Sequence, residues 1–115
     1  ILMKKIEAII RQEKLTNLQE ALYDKVGLKG MTVSQVLGCG HQHGWKEYVR
    51  GQEVMTTLLP KLEVNLVVLD EHVDEIIDII VKSCQTGEVG DGKIFVYNVE
   101  NAVRIRTFET GEAAL

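Results

Sequence analysis

Thr86-Gly87-Glu88-Val89-Gly90-Asp91-Gly92-Lys93-Ile94-Phe95-Val96 is the stretch in which the chain changes from one pattern to another. Before it, Val73, Ile76, Ile77, Ile80 and Cys84 recur at helical spacing behind the acidic start Asp70-Glu71. After it, Ile94 to Val99 reads as extended. The stretch is therefore a helix-to-strand connection. Its glycines let backbone N–H groups turn toward an anion with no Cβ in the way. Lys93 adds a point charge suited to phosphate. In a Walker-type loop Gly-Lys follows a strand and opens a helix. The order here is the reverse, so the stretch is not a Walker loop, yet it remains a candidate phosphate cradle. On its glycines alone, a plain turn is the simpler reading.

Ten residues on, Val103-Arg104-Ile105-Arg106-Thr107 alternates apolar and basic. Ala102 to Thr107 reads as a strand, with Arg104 and Arg106 on one face and Val103 and Ile105 on the other. Two neighbouring arginines repel unless an anion or an acid sits between them. They either flank a polyphosphate or pair with surface acids such as Glu100 or Glu109.

Working outward, Ile6, Ala8 and Ile10 alternate with polar positions as in a half-buried strand. Leu15, Leu18, Leu22 and Val26 follow helical spacing, and Gly27 is a natural C-terminal stop. Met31, Val33 and Leu37 return to period two, interrupted by Gln35. Leu62, Val64, Leu66 and Val68 alternate against Lys61, Glu63 and Asn65. The order is strand-helix-strand, strand-helix-strand, then a short tail strand. That is an α+β, ferredoxin-like β-α-β-β-α-β plan with helices on one face of an antiparallel sheet. The other face carries Ile9, Val36, Val67 and Phe95 among polar residues. It fits an oligomer interface, or a monomer with a few exposed apolar residues.

The segment Cys39 to Leu59 shows no sustained period. Structureless loops longer than about 12–15 residues are uncommon in small domains and are usually functional or disordered. His41, His43, Trp45, Tyr48 and Arg50 give this one the composition of a binding surface, or of a hairpin loop with incidental aromatics. His41 and His43 invite a zinc or copper reading. Two imidazoles do not complete a site, and no acid or cysteine stands at a clear third spacing.

At 115 residues the chain suits one domain with a modest core. Thirteen basic against seventeen acidic residues give a net charge of −4 with no basic block, which argues against nucleic acid as a partner. No apolar run approaches a membrane span, and no signal-peptide pattern is read. Cys39 and Cys84 are too few for a disulfide framework, so a reduced setting is expected, with Cys84 buried on the second helix. No nucleophile–base pair stands out, and the chain is not expected to be an enzyme.

The block Thr86 to Val96 resembles the nucleotide-loop signature of the PII nitrogen-signalling proteins, and the similarity runs almost end to end. Met3-Lys4-Lys5-Ile6-Glu7-Ala8-Ile9-Ile10 is similar to that family's first strand, and Gly30-Met31-Thr32-Val33 to its second. Gly38-Cys39-Gly40-His41-Gln42 and Leu59-Pro60-Lys61 bracket a segment with the length of its T-loop. Val103 to Thr107 resembles its closing strand. The resemblance implies a single domain over 3–115, with the T-loop at about 39–59 and the nucleotide loop at about 86–93. Ile1 and Leu2, ahead of Met3, read as an added remnant.

The same resemblance implies a cytoplasmic homotrimer built on the open sheet face. It would sense ATP or ADP, and 2-oxoglutarate with Mg²⁺. Thr32 and Val67 match positions near the adenine, and Gly38 and Gly40 the glycines where T-loop meets nucleotide. Gly90, Asp91, Gly92 and Lys93 match the phosphate loop, and Arg104 and Arg106 its basic partners. Gln42 matches the glutamine that helps hold Mg²⁺, 2-oxoglutarate and the phosphates. Lys61 matches the lysine that pairs with a 2-oxoglutarate carboxylate. His41 and His43 stand where the family is usually basic, which would make binding pH-sensitive. Asn65 replaces a usual glutamate near the nucleotide. Val54 replaces the tyrosine that some relatives uridylylate, and Gln52 the serine that others phosphorylate. Trp45, Tyr48 and Arg50 fall where the T-loop meets partners. Arg50-Gly51 matches the Arg-Gly that in some relatives plugs an ammonium channel, and such a channel would recruit the chain to the inner membrane face. The alternatives are a trimeric metal-binding protein using His41 and His43, and a small ATP-using enzyme. Metal titration and ATP turnover separate them.

Overall fold

Alternation in the sequence becomes a four-stranded antiparallel sheet, and the two helical stripes cover one of its faces. The computed structural model describes residues 2–39, 46–49, 52–55 and 58–115, with backbone alone for 46–49 and 52–55. In chain order the elements are β1 (Met3–Ile10), α1 (Leu15–Val26), β2 (Thr32–Gly38), β3 (Lys46–Val49), β4 (Gln52–Met55), β5 (Leu59–Leu69), α2 (Val73–Cys84) and β6 (Lys93–Val99). A 3₁₀ turn leads into each helix, at Gln12–Lys14 and at Asp70–His72. The sheet order is β2-β5-β1-β6. Neighbours in sequence are thus not all neighbours in space, which is the ferredoxin-like arrangement that the β-α-β repeat implies.

Register decides which residues meet. Ile6 lies opposite Leu66 and Val96, Ala8 opposite Val64 and Ile94, and Ile10 opposite Leu62. This face packs on Leu18 and Leu22 of α1 and on Val73, Ile76, Ile79, Ile80 and Cys84 of α2. Each large side chain buried there stabilises the fold by roughly 1.5–3 kcal/mol. Ile79, outside the stripe read from the sequence, is 3% exposed. α1 ends as its sequence suggests. Gly27 is left-handed at φ 59°, its N–H reaching the Tyr23 carbonyl and that of Leu28 the Leu22 carbonyl.

The opposite face carries Ile9, Val36, Val67 and Phe95, as expected from the alternation. Val67 and Phe95 are exposed. Beside them the Tyr97 hydroxyl donates to Glu7 at 3.2 Å, which pushes its pKa up, and Lys5 stands over the Tyr97 ring.

Two expectations are corrected. The segment between Cys39 and Leu59 is not without regular structure, because β3 and β4 form a two-stranded antiparallel ladder. Ala102 to Thr107 is not a strand. Val103 makes one isolated bridge to Thr110, and the chain between them closes a turn. The Arg104 N–H donates to the Glu109 carbonyl and the Phe108 N–H to the Arg104 carbonyl, each at 2.8 Å. Alternation over five residues satisfies the strand pattern, but a strand needs a ladder, and here the backbone groups bond within their own turn. Arg104 and Arg106 therefore do not line one face of a strand.

Candidate anion-binding site

The loop from Gln85 to Gly92 is organised around Asp91. Its carboxylate accepts from the Thr86 N–H at 2.8 Å, the Gly87 N–H at 2.9 Å and the Arg11 Nε at 3.2 Å. It also accepts from the Thr86 hydroxyl. The Thr86 hydroxyl foremost, then the Thr86 and Gly87 amides and Arg11, hold the Asp91 carboxyl far below the usual carboxylate range. The same Thr86 oxygen accepts from the Glu88 N–H at 3.2 Å. Asp91 is thus committed to the loop's own donors and to Arg11.

Glycine is required at the next corner. Gly90 and Gly92 have φ of 102° and 101°, outside the range of ordinary L residues. At Gly92 the backbone crosses β1 so closely that an added Cβ would lie 1.7 Å from the Ile9 carbonyl oxygen. Lys93 then opens β6 with its side chain exposed and makes no ion pair or hydrogen bond with a described residue.

Lys61 joins this loop from β5. Sequence alternation marks it as one more polar position, yet it is only 9% exposed. Its ammonium donates to the Gly90 carbonyl at 2.8 Å. Burial lowers its pKa, and Arg11 lowers it further, while Glu13 and Asp91 act in the opposite sense. Gly38, at the end of β2, lies against the Lys61 stem, and an added Cβ there would be 3.3 Å from Lys61 Cγ. A cleft of about 270 Å³ lies beside the loop, between Ile80 and Cys84 of α2 and Ile9, Lys93 and Ile94 of the sheet.

One end of the sheet thus gathers Gly38, Lys61, Gly90, Asp91, Gly92 and Lys93. The sequence reading missed a seventh member. Arg11 follows β1 directly, and its guanidinium spans the Asp91 carboxylate and the Val89 carbonyl, the latter at 2.9 Å. The available signal was topological: an antiparallel β1–β6 pair puts the end of one strand beside the start of the other, and Ile9 does pair with Lys93.

Thr32, Val67, Arg104 and Arg106 are not brought to this end. Thr32 opens β2 opposite Asn65, and Val67 lies opposite Lys5. The arginines follow β6, whose seven residues span about 20 Å. Arg104 pairs with Glu109 at 3.3 Å and donates to the Leu115 carbonyl at 3.0 Å, so one of the two acid pairings weighed from the sequence occurs. Arg106 is exposed and makes no ion pair with a described residue. Asn65 Oδ1 is buried on the open face and has no hydrogen-bond partner among the described residues. Gly40, His41, Gln42, His43, Trp45 and Arg50 lie outside the described residues, as does the side chain of Tyr48. Among the described residues no three His, Cys, Asp or Glu side chains group as metal ligands. No described helix is long and apolar enough to cross a membrane.

Comparison with known proteins bears on both the fold and the loop. The family described as nitrogen regulatory protein P-II matches residues 3–109. Nitrogen regulatory protein P-II of Pasteurella multocida is 53% identical over 113 residues, covering 98% of this chain and all of the relative. Nitrogen regulatory protein P-II 1 of Escherichia coli K12 is 50% identical over the same length and coverage. The crystal structure of Arabidopsis thaliana PII bound to citrate superposes with a TM-score of 0.80 at 35% identity, covering 99% of this chain and 92% of that one.

Proposed function

The chain belongs to the nitrogen regulatory protein P-II family, and from that premise we propose that it is a cytoplasmic, homotrimeric sensor of ATP, ADP and 2-oxoglutarate. Its family role is nitrogen-regulatory signalling, and in our reading it signals rather than catalyses. The observation that carries the nucleotide reading is the pre-shaped loop. Gly90 and Gly92 turn at positive φ into Lys93, whose side chain has no ion pair or hydrogen bond among the described residues, and Lys61 is bonded to the same loop from β5. Such a loop accepts a polyphosphate without first being ordered, which lowers the cost of binding. Lys93 supplies the charge and the glycine backbone the donors.

The separation of the candidate residues supports a site shared between copies. The phosphate end would come from one protomer. Thr32, Val67, Arg104 and Arg106 would come from the far end of its neighbour. The open face, with Val67 and Phe95 exposed, is the surface for that assembly. Gln42 and Lys61 would receive 2-oxoglutarate. Mg²⁺ would supply the positive charge that lets a dicarboxylate sit beside phosphates. Citrate bound to the Arabidopsis relative is in keeping with a small polycarboxylate as effector. The T-loop, with Trp45, Tyr48 and Arg50, would carry the signal to a nitrogen-metabolism target such as an ammonium channel.

Calorimetry tests the reading. ATP and ADP are expected to compete for one site per chain, and 2-oxoglutarate to bind only with Mg²⁺ and ATP present. Failure to bind either nucleotide, or tight binding of 2-oxoglutarate to the ligand-free protein, overturns it. For the target, capture of the native ammonium channel in ADP should be lost in Arg50→Ala. Equal capture by both proteins removes the channel from the proposal.

A further inference from the structure

The loop's own acid presents an electrostatic problem. Asp91 lies between Gly90 and Gly92 and two residues before Lys93, so a phosphate bound on this backbone meets a carboxylate close by. That carboxylate is also what shapes the loop, through the Thr86 and Gly87 amides. Removing it would lose the shape, and keeping it repels the ligand. Arg11 stands where both difficulties are met. Its side chain is 16% exposed, its Nε reaches Asp91 at 3.2 Å and its terminal nitrogen reaches the Val89 carbonyl at 2.9 Å. One planar group thus ties two points of the loop to the end of β1, which a lysine, as a point donor, does not do.

We propose that Arg11 is a positioning residue for polyphosphate binding: with Asp91 it forms a clasp that fixes the Thr86–Lys93 loop, and its charge screens Asp91 from the bound phosphate. This rests on the nucleotide reading above. The clasp also accounts for the form of the loop. Arg11, Thr86, Gly87, Val89 and Asp91 close a ring of hydrogen bonds around it. Two functions in one side chain make the proposal separable by mutation. Shape depends on the fork, and screening depends on the charge.

The test uses the full chain as Arg11→Ala, Arg11→Lys, Asp91→Asn and the Arg11→Ala/Asp91→Asn pair, with two readouts. Amide hydrogen exchange is followed on ligand-free protein, and ATP and ADP affinity by calorimetry. Arg11→Ala should speed exchange at Thr86 and Gly87 and weaken ATP by about tenfold. Arg11→Lys should recover most of the affinity while exchange stays fast. The double variant should bind ATP more tightly than Arg11→Ala, because the unscreened carboxylate is gone, with exchange still fast. Unchanged exchange in Arg11→Ala overturns the clasp. Unchanged affinity in Arg11→Ala, or an Arg11→Lys variant that binds no better than Arg11→Ala, overturns the screening. If the wild type binds neither nucleotide, the nucleotide reading falls, and the exchange arm still decides the clasp.

Discussion

Gly87 and Gly92 are both left-handed, but only Gly92 has a wall beside it. An added Cβ at Gly87 meets nothing within 4 Å, whereas at Gly92 it lies 1.7 Å from the Ile9 carbonyl oxygen. Gly87→Ala should therefore cost only the backbone conformation, about 1–2 kcal/mol. Gly92→Ala must also push the loop off β1 and should exceed about 3 kcal/mol. Urea denaturation of the two variants checks this, and equal losses would refute the steric argument. Asp91 gives a pH signature. Its folded pKa is depressed, so its stabilisation is present above the unfolded value near pH 4 and is lost as pH falls through the folded one. The melting-temperature gap between wild type and Asp91→Asn should be steady from pH 7 to about pH 5 and should narrow below about pH 4. A gap that widens in acid would contradict the hydrogen-bond assignment. Of these residues, the glycines and Lys93 were legible as a phosphate-loop pattern. Arg11 was not, because nothing in Ile10-Arg11-Gln12 marks a side chain whose partners lie about 80 residues away.

Elements were legible wherever an apolar period ran for several turns or pleats. Leu18 and Leu22, and Ile76, Ile80 and Cys84, are the stripes that the spacing gives, and all are buried. β5 reads from its alternation and pairs on both sides, with β1 and β2. The failures came where the pattern was short. Val103 to Thr107 has strand alternation over five residues, but Arg104 donates to the Glu109 carbonyl and Val103 makes only an isolated bridge to Thr110, so it joins no sheet. The β3–β4 ladder shows no usable period in its four-residue strands. If core packing of α2 sets the stability, Ile80→Ala should cost about 2–5 kcal/mol. Val81→Ala, one residue on and 41% exposed, should cost under about 1 kcal/mol. Chemical denaturation of both variants measures the difference, and comparable losses would mean that α2 is not docked by the face described.

The arrangement of the whole molecule gives the strongest reason to place the proposed nucleotide site between copies. Lys93 begins β6 and Arg106 follows its end, so a strand of about 20 Å separates them within one chain. In our reading one triphosphate does not meet both cations within a single chain. The proposed head-to-tail ring of identical chains would resolve it, because each junction would set the phosphate end of one protomer against the far end of the next. The consequence is complementation. Lys93→Ala lacks the loop cation but keeps its arginines, and Arg106→Ala lacks the arginine but keeps its loop. Either variant alone should bind ATP at least tenfold more weakly than wild type, by loss of a charge-assisted phosphate bond. Unfolded together at equal amounts and refolded, they assemble at random. A junction is intact when an Arg106→Ala loop meets a Lys93→Ala neighbour, which occurs at about a quarter of junctions. Calorimetry of the mixture should therefore show about a quarter of the wild-type stoichiometry at wild-type affinity, beside weaker sites. A site within one chain has no such route to recovery, since every chain then carries one of the two lesions. Absence of the tight fraction in the refolded mixture, with both parents impaired, would place the two cations in the same chain's site and refute the shared arrangement.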